Sequence, residues 1–107
     1  MATDNTQAVI DHHSKALLAG DLDAVMEDYT EDSVFITNLG GVMKGLDAIR
    51  SALAAGGEFP GFETTSELIE GECAYNTWKM DGIAFASDTF IVRNGKIVVQ
   101  TVAMVFA

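Results

Sequence analysis

Two dipeptides constrain the fold of this 107-residue chain more than any other feature of its sequence. Asp81-Gly82 and Asn94-Gly95 each separate two runs that are rich in β-branched and aromatic residues. Such dipeptides favour the positive φ angles of two-residue hairpin turns. They therefore predict an antiparallel meander over the second half of the chain, with strands at residues 64–70, 72–80, 83–93 and 96–106.

The first half of the chain shows mainly helical periodicity. Asp4 with Gln7 forms a predicted capping pair for the first helix, and Asp21 is the predicted N-cap of the second. The predicted elements are helices over residues 4–19, 21–29 and 45–55, with one strand over residues 33–39 before the last helix. We therefore expect a single α+β domain over residues 1–107, in which helices cover one face of a curved sheet.

Composition excludes several classes of function. Sixteen acidic and six basic residues give a formal net charge of -10, so attraction to nucleic acids or anionic membranes is not expected. A single cysteine, Cys73, excludes an intramolecular disulfide and a cysteine-based metal cluster. The first residues lack the basic and apolar regions of a signal peptide, and no apolar run is long enough to span a membrane. These features predict a cytoplasmic protein.

The meander has two faces, and both are predicted to be apolar. A two-residue turn at Asp81-Gly82 would place Phe85 opposite Trp78 and Ile83 opposite Met80. One face must pack against the helices. The other would form an exposed apolar patch in a monomer, so we expect a homodimer through this outer face, with Trp78, Phe85 and Ile91 at the interface.

The inner face contains one anomalous residue. Asp88 alternates with Ala86 and Phe90, where an ionised carboxylate is costly unless it is paired or hydrogen-bonded. The predicted register gives Asp88 the same face as Tyr75 and Thr77, and it places either Gln100 or Thr101 opposite, depending on the length of the loop at Asn94-Gly95. His13 interrupts the apolar stripe of the first helix, so an imidazole and a carboxyl are expected to face each other across an apolar space.

Four segments of the chain together carry a family resemblance. They are Ala19-Gly20-Asp21-Leu22-Asp23-Ala24-Val25-Met26, Tyr29-Thr30-Glu31-Asp32-Ser33-Val34-Phe35, Gly45-Leu46-Asp47-Ala48-Ile49-Arg50 and Asp88-Thr89-Phe90-Ile91-Val92-Arg93-Asn94-Gly95-Lys96-Ile97. Through them the sequence resembles the nuclear transport factor two-like superfamily, and more narrowly its SnoaL-like and ketosteroid-isomerase-like branch. The resemblance implies a cone-shaped α+β barrel with three helices packed on a curved, mostly antiparallel sheet around a deep pocket, and dimers through the outer sheet face.

The resemblance also assigns roles to particular residues. Asp88 falls where ketosteroid isomerase keeps a protonated aspartic acid as an oxyanion donor. His13 falls at that enzyme's tyrosine donor, and Thr37, beside Asn38, falls at its general base. Neither Thr37 nor Asn38 accepts a proton near neutral pH, so steroid isomerisation is not expected. The resemblance implies that the pocket is lined by Tyr29, Met80, Phe90, Val102 and Met104.

Two hypotheses for function follow. The first is a pocket protein that binds a compact apolar or aromatic ligand with a polar end. If it is an enzyme, it would use His13 and Asp88 for cofactor-free isomerisation, dehydration or hydrolysis, with no metal. The alternative is a non-catalytic dimerisation or interaction domain with a vestigial pocket. The predicted ligand-binding residues are Tyr29, Thr37, Asn38, Tyr75, Met80, Phe90, Gln100, Val102 and Met104.

Overall fold

The computed structural model describes residues 2–107, with side chains from Asn5 onward. Three helices and six strands follow one another along the chain. No helix in this described part is both long and apolar enough to cross a membrane. The elements are α1 (Ala2–Leu18), α2 (Leu22–Met26), β1 (Tyr29–Thr37), β2 (Gly41–Lys44), α3 (Leu46–Gly56), β3 (Glu63–Glu70), β4 (Cys73–Met80), β5 (Ile83–Arg93) and β6 (Lys96–Phe106).

The six strands form one open, curved sheet, so the predicted α+β fold is confirmed, but the sheet does not close into a barrel. The strand order is β2-β1-β6-β5-β4-β3. All neighbouring pairs are antiparallel except β1 and β6, which run parallel. Asn94 and Gly95 both have positive φ, at 53° and 75°, as the predicted hairpin turn requires.

A bulge in β5 changes the predicted register of the β4–β5 hairpin. Met80 pairs with Ile83, as predicted, but Trp78 pairs with Ala86 because β5 contains one extra residue in between. A one-residue shift moves every later side chain to the opposite face. The predicted pairing of Phe85 with Trp78 is therefore wrong. Trp78 lies on the inner face with 7% of its surface exposed, so its predicted place in an interface on the outer face is wrong as well.

A second bulge changes the predicted partner of Asp88 in β6. Arg93 pairs with Lys96, so the turn has two residues, but β6 contains an extra residue before Val99. Asp88 consequently pairs with Val102, and neither Gln100 nor Thr101 lies opposite it. Bulges of this kind bend strands and increase their twist, which gives the sheet its curvature.

The inner face of the sheet packs against the helices and forms the core. α1 lies over β3, β4 and β5, whereas α3 lies over β1 and β2. The buried stripe of α1 includes Val9, Ile10 and His13, and Ile49 of α3 is fully buried. This burial of apolar surface, at about 25 cal/mol per Å², is the main stabilising contribution to the fold.

The helix boundaries follow the predictions closely, with two differences. Asp21 caps α2, since its carboxylate accepts a hydrogen bond from the Ala24 amide at 3.1 Å. The predicted Asp4 cap lies outside the residues whose side chains are described. Tyr29 begins β1 instead of ending α2, and the short strand β2 was not predicted. The sequence predicts only a turn at Gly40-Gly41 in this region.

The outer face of the sheet carries a row of uncharged residues that crosses all six strands. Its members are mostly apolar and partly exposed. None of them is charged, although the chain has sixteen acidic and six basic side chains. Further along β5 and β6, Phe85 pairs with Val105, and these two side chains are 48% and 57% exposed. The row, called here the outer row, consists of Leu68, Tyr75, Thr89, Thr101, Ile36 and Val42.

Ser33 fixes the irregular start of β1 against β6. Its hydroxyl donates to the Ile97 carbonyl at 2.6 Å and accepts from the Thr30 amide at 2.8 Å, and the residue is fully buried. We expect Ser33→Ala to lower the free energy of unfolding by about 1–3 kcal/mol, because it leaves buried backbone groups unpaired. Urea unfolding measures this change.

The matched control for this prediction is Ser51→Ala, on the exposed surface of α3. It should change the free energy of unfolding by less than about 0.5 kcal/mol. Equal effects of the two substitutions would contradict the role assigned to Ser33.

Candidate functional site

A row of residues with polar members crosses the inner face of the sheet. Thr37 of β1 pairs with Val102 of β6, Val102 pairs with Asp88 of β5, and Asp88 pairs with Asn76 of β4. Adjacent strands lie about 4.8 Å apart, so Asp88 is next to Asn76 and about 10 Å from Thr37. We call these four residues the inner row.

The two neighbouring rows make the surroundings of the inner row mainly apolar. One side is dominated by aromatic and aliphatic residues with a single amide, and the other contains the Trp78 indole. Phe90 and Ala86 are 1% and 0% exposed. The first neighbouring row is Phe35, Gln100, Phe90 and Ala74, and the second is Met104, Ala86 and Trp78.

Asp88 is a carboxyl group without a cationic partner among the residues whose side chains are described. Burial raises its pKa to about 7, and a hydrogen bond from the Trp78 indole acts in the opposite direction. All six lysine and arginine side chains, which lie within the described part of the chain, are exposed. The Asp88 Oδ1 atom is buried and has no hydrogen-bond partner in this part of the chain. Asp88 can therefore exchange a proton near neutral pH.

His13 projects from α1 against the same face of the sheet. Its ring makes edge contacts with Tyr29 and Phe90, with ring centroids 5.9 and 5.4 Å away. Burial lowers the pKa of His13 to about 4, so the imidazole is neutral at neutral pH. Within the described residues its Nδ1 atom has no hydrogen-bond partner. His13 and Asp88 are thus both held on the concave side of the sheet.

Tyr29 and Gln100 form a hydrogen-bonded pair next to His13. The Tyr29 hydroxyl donates to the Gln100 Oε1 atom. Burial, with smaller contributions from the charges of Asp88 and Asp28, raises the pKa of Tyr29 well above its ordinary value. Tyr29 therefore remains protonated, and it positions the amide of Gln100 instead of leaving both groups free for a ligand.

Three of the predicted ligand-binding residues lie away from the inner row. Tyr75 is in the outer row and is 37% exposed, so its predicted position on the same face as Asp88 is wrong. Asn38 is exposed, and its side chain bonds both the amide and the carbonyl of Met104. Met80 lies at the end of β4, half-buried against the core.

The other predicted residues lie on or against the inner face, but Thr37 is already engaged. Its Oγ1 atom accepts hydrogen bonds from the amides of Leu39 and Gly40 at 3.1 and 2.6 Å. Its hydroxyl therefore stabilises the β1–β2 turn. The predicted residues found at the inner row or its neighbouring rows are Thr37, Asp88, Phe90, Gln100, Val102 and Met104.

Sequence reasoning missed Asn76 and misplaced Trp78. Asn76 is 8% exposed, and its Oδ1 atom has no hydrogen-bond partner among the described residues. Both residues lie next to Asp88 only because the bulge in β5 shifts the register. The one signal in the sequence was the polar amide of Asn76 within a predicted strand. A register without the bulge places Asn76 on the outer face.

The neighbouring histidine, His12, belongs to a different environment. Its Nδ1 atom lies 2.8–2.9 Å from the carboxylate oxygens of Asp28, which raises the pKa of His12. The imidazole side chain is 44% exposed, whereas that of Asp28 is 9% exposed. In the part of the chain that the structure describes, no three His, Cys, Asp or Glu side chains gather into a potential metal site.

Two clefts open at the helical side of the domain. One, of about 250 Å³, lies between the end of α1 and α3, and the other, of about 350 Å³, adjoins it. Phe59 lines both clefts. Its ring contacts Phe62, and Phe62 contacts Trp78, with ring centroids 6.2 and 5.4 Å apart. Asp88 lines neither cleft. The contacting rings run from Phe59 at the clefts to Trp78, whose indole hydrogen-bonds Asp88.

Solved structures similar to this chain share its architecture at low sequence identity. An NTF-2 like protein of unknown function from Burkholderia xenovorans LB400 has a TM-score of 0.84 and 22% identity, over 100% of this chain and 88% of that one. A proposed polyketide cyclase from Sinorhizobium meliloti has a TM-score of 0.78 and 18% identity, over 89% and 93%. A proposed ketosteroid isomerase from Kribbella flavida DSM 17836 has a TM-score of 0.79 and 16% identity, over 98% and 81%.

These likenesses, all under 25% identity, establish the fold and no activity. A comparison with curated proteins finds no match. The family model of the SnoaL-like domain matches residues 10–106, which is nearly the whole chain. The chain therefore belongs to the SnoaL-like domain family, within the NTF2-like fold.

Proposed function

We propose that this protein binds a compact apolar or aromatic small molecule whose polar end reaches the inner row. One observation carries the proposal: His13 Nδ1, Asn76 Oδ1 and Asp88 Oδ1 are buried without hydrogen-bond partners among the described residues. Leaving such an atom unpaired costs about 1–3 kcal/mol. A ligand that supplies the missing hydrogen bonds would offset this cost.

The protonation states of the two titratable groups favour acid–base chemistry without a cofactor. A catalytic acid or base works best when its pKa lies near the working pH, and the pKa of Asp88 is raised to about 7. His13 is neutral, because burial lowers its pKa to about 4. In an isomerase, dehydratase or hydrolase of this kind, Asp88 would exchange the proton, and His13 would hydrogen-bond the substrate as a neutral imidazole.

Access to the inner row would require movement of the aromatic rings next to the clefts. Phe59 borders both clefts, and Phe62 lies between it and Trp78. The indole in turn donates a hydrogen bond to Asp88.

The second candidate function is a non-catalytic dimerisation or interaction domain. The observation that favours it is that Asp88 lines neither of the two clefts. In this case the polar groups would be remnants of a former site. The two candidates differ in one respect: only the first predicts that a small ligand stabilises the protein through Asp88.

A homodimer through the outer face of the sheet is part of both proposals. The outer row is uncharged, and Leu68 and Val42, at its two ends, are 66% and 69% exposed. Exposed apolar side chains that cluster on one surface mark protein interaction sites. A second copy of the chain, carrying the same uncharged surface, would cover it without burying a charge.

Ligand binding is tested by thermal unfolding of the purified protein with phenols, enones, epoxides and polycyclic aromatics. A ligand at one hundred times its dissociation constant should stabilise the protein by about 2.7 kcal/mol. The Asp88→Asn variant should show no such stabilisation when it is compared with and without the ligand. The exposed control Asp32→Asn should preserve it, and equal shifts in both variants would place the ligand elsewhere.

The pH dependence of stability should reveal the opposite titrations of Asp88 and His13. The raised pKa of Asp88 contributes stability that is complete below about pH 4 and is lost as the pH rises through 7. The lowered pKa of His13 contributes stability that is complete above about pH 6.5 and is lost as the pH falls through 4. The two slopes therefore oppose each other between pH 4 and 6.5.

Each substitution should remove one of these slopes. As the pH rises from 4 to 7, the free energy of unfolding of Asp88→Asn should increase relative to that of the wild type, by up to about 1.4 kcal/mol per pH unit. As the pH rises from 4 to 6.5, the free energy of unfolding of His13→Leu should decrease relative to that of the wild type by a similar amount per pH unit. Urea unfolding at several pH values measures both differences. Differences that do not vary with pH would show that neither group titrates as described.

Dimerisation is tested by analytical ultracentrifugation of Phe85→Glu. Phe85 is 48% exposed on the outer face, so a glutamate there should not disturb the core but should place two like charges in the interface. We expect wild type to sediment as a dimer and the variant as a monomer. The control Leu18→Glu, 50% exposed on α1, should remain dimeric. A monomeric wild type would exclude this interface.

A further inference from the structure

We propose that the polar end of the ligand is a protonated amine, which Asp88 and Asn76 bind together at the inner row. This inference rests on the proposed function and makes it more specific. It names one chemical class among the compact ligands considered above. The same site would then discriminate an ammonium group from a hydroxyl or carbonyl group of equal size.

The first argument is the missing counter-charge of Asp88. Buried carboxylates in proteins are normally paired with a cation or held by several hydrogen bonds. Asp88 lies among Phe90, Ala86 and Trp78, and the six basic side chains of the chain are all exposed. A ligand that carries a positive charge would supply the partner that the protein itself does not provide.

The second argument is the chemistry of the unpaired atoms. Asn76 Oδ1 can only accept a hydrogen bond, and an ionised Asp88 likewise only accepts. A carbonyl ligand would place another acceptor against these oxygens. A primary ammonium group has three N–H donors, and two of them can pair with Asn76 Oδ1 and Asp88 Oδ1, which lie on paired positions of adjacent strands.

The third argument is the surrounding surface. The aromatic rings of Trp78 and Phe90 lie in the rows on either side of the inner row, and aromatic faces attract ammonium groups. The whole chain carries a formal charge of -10, which raises the local concentration of cations and opposes anions. An amine with a compact apolar body matches both features.

The pH dependence of amine binding follows from the groups that face Asp88. His13 on α1 stays neutral above about pH 4, and Tyr29 on β1 stays protonated. Glu67 on β3 pairs with Asn76 but is exposed. Asp88 is therefore the group at this site that changes charge between pH 5.5 and 8, since its pKa is raised to about 7.

The test compares matched ligands by isothermal titration calorimetry: butylamine with 1-butanol, and benzylamine with benzyl alcohol. At pH 8 each amine should bind at least tenfold more tightly than its alcohol. At pH 5.5 the affinity for the amines should fall about 30-fold, because the free protein then holds Asp88 protonated, while affinity for the alcohols should hardly change. Alkylamines, like lysine side chains, stay protonated over this range.

Two variants separate the site from the overall charge of the protein. Asp88→Asn should remove the preference for amines, and Asp32→Asn, which changes the net charge equally, should retain it. Asn76→Leu should weaken amine binding while keeping its pH dependence. Alcohols that bind as tightly as amines at pH 8 would overturn the ammonium assignment and leave the pocket intact. If neither ligand class binds, both this inference and the proposed pocket fail.

Discussion

Packing of three helices onto the concave face of the sheet is the interaction on which the rest of this molecule depends. The helices remove most of that face from water: Ile49 and Phe90 are fully buried, whereas Asp88 remains partly exposed. Any polar group on the same face must then satisfy its hydrogen bonds inside the protein or remain unpaired. Tyr29, Gln100 and Ser33 find internal partners. His13, Asn76 and Asp88 each keep one buried atom unpaired in the described part of the chain.

The contrast between these two groups of residues separates structure from proposed function. A protein under selection for stability alone could replace His13 or Asn76 by an aliphatic residue and avoid a cost of about 1–3 kcal/mol for each unpaired atom. Asp88 adds the cost of a carboxyl whose pKa is raised to about 7 by burial. Unpaired polar groups on one face of the sheet, two of them adjacent in register, are typical of a site that a ligand completes.

Much of this arrangement could be predicted from the sequence. The Asp-Gly and Asn-Gly turns correctly predicted both hairpins, and the apolar stripe of α1 correctly predicted that His13 faces inward. The partners of Asp88 could not be predicted, because the bulges in β5 and β6 each shift the register by one residue. Nothing in the local sequence distinguishes a bulged strand from a regular one here. The unbulged register therefore placed Trp78 outside and Tyr75 inside, and it hid the pairing of Asn76 with Asp88.

The central claim is that Asp88 has one buried oxygen without a hydrogen-bond partner and no cationic partner among the described residues, and that its carboxyl titrates near neutral pH. A carbon-13 NMR titration of the aspartate side-chain carboxyl resonances, with Asp88 assigned by comparison with Asp88→Asn, measures this property directly. The account predicts a midpoint for Asp88 near pH 7, well above the value of about 4 that is usual for aspartate. A midpoint at or below 4 would show that the carboxylate is paired or solvated, and it would contradict the site described here.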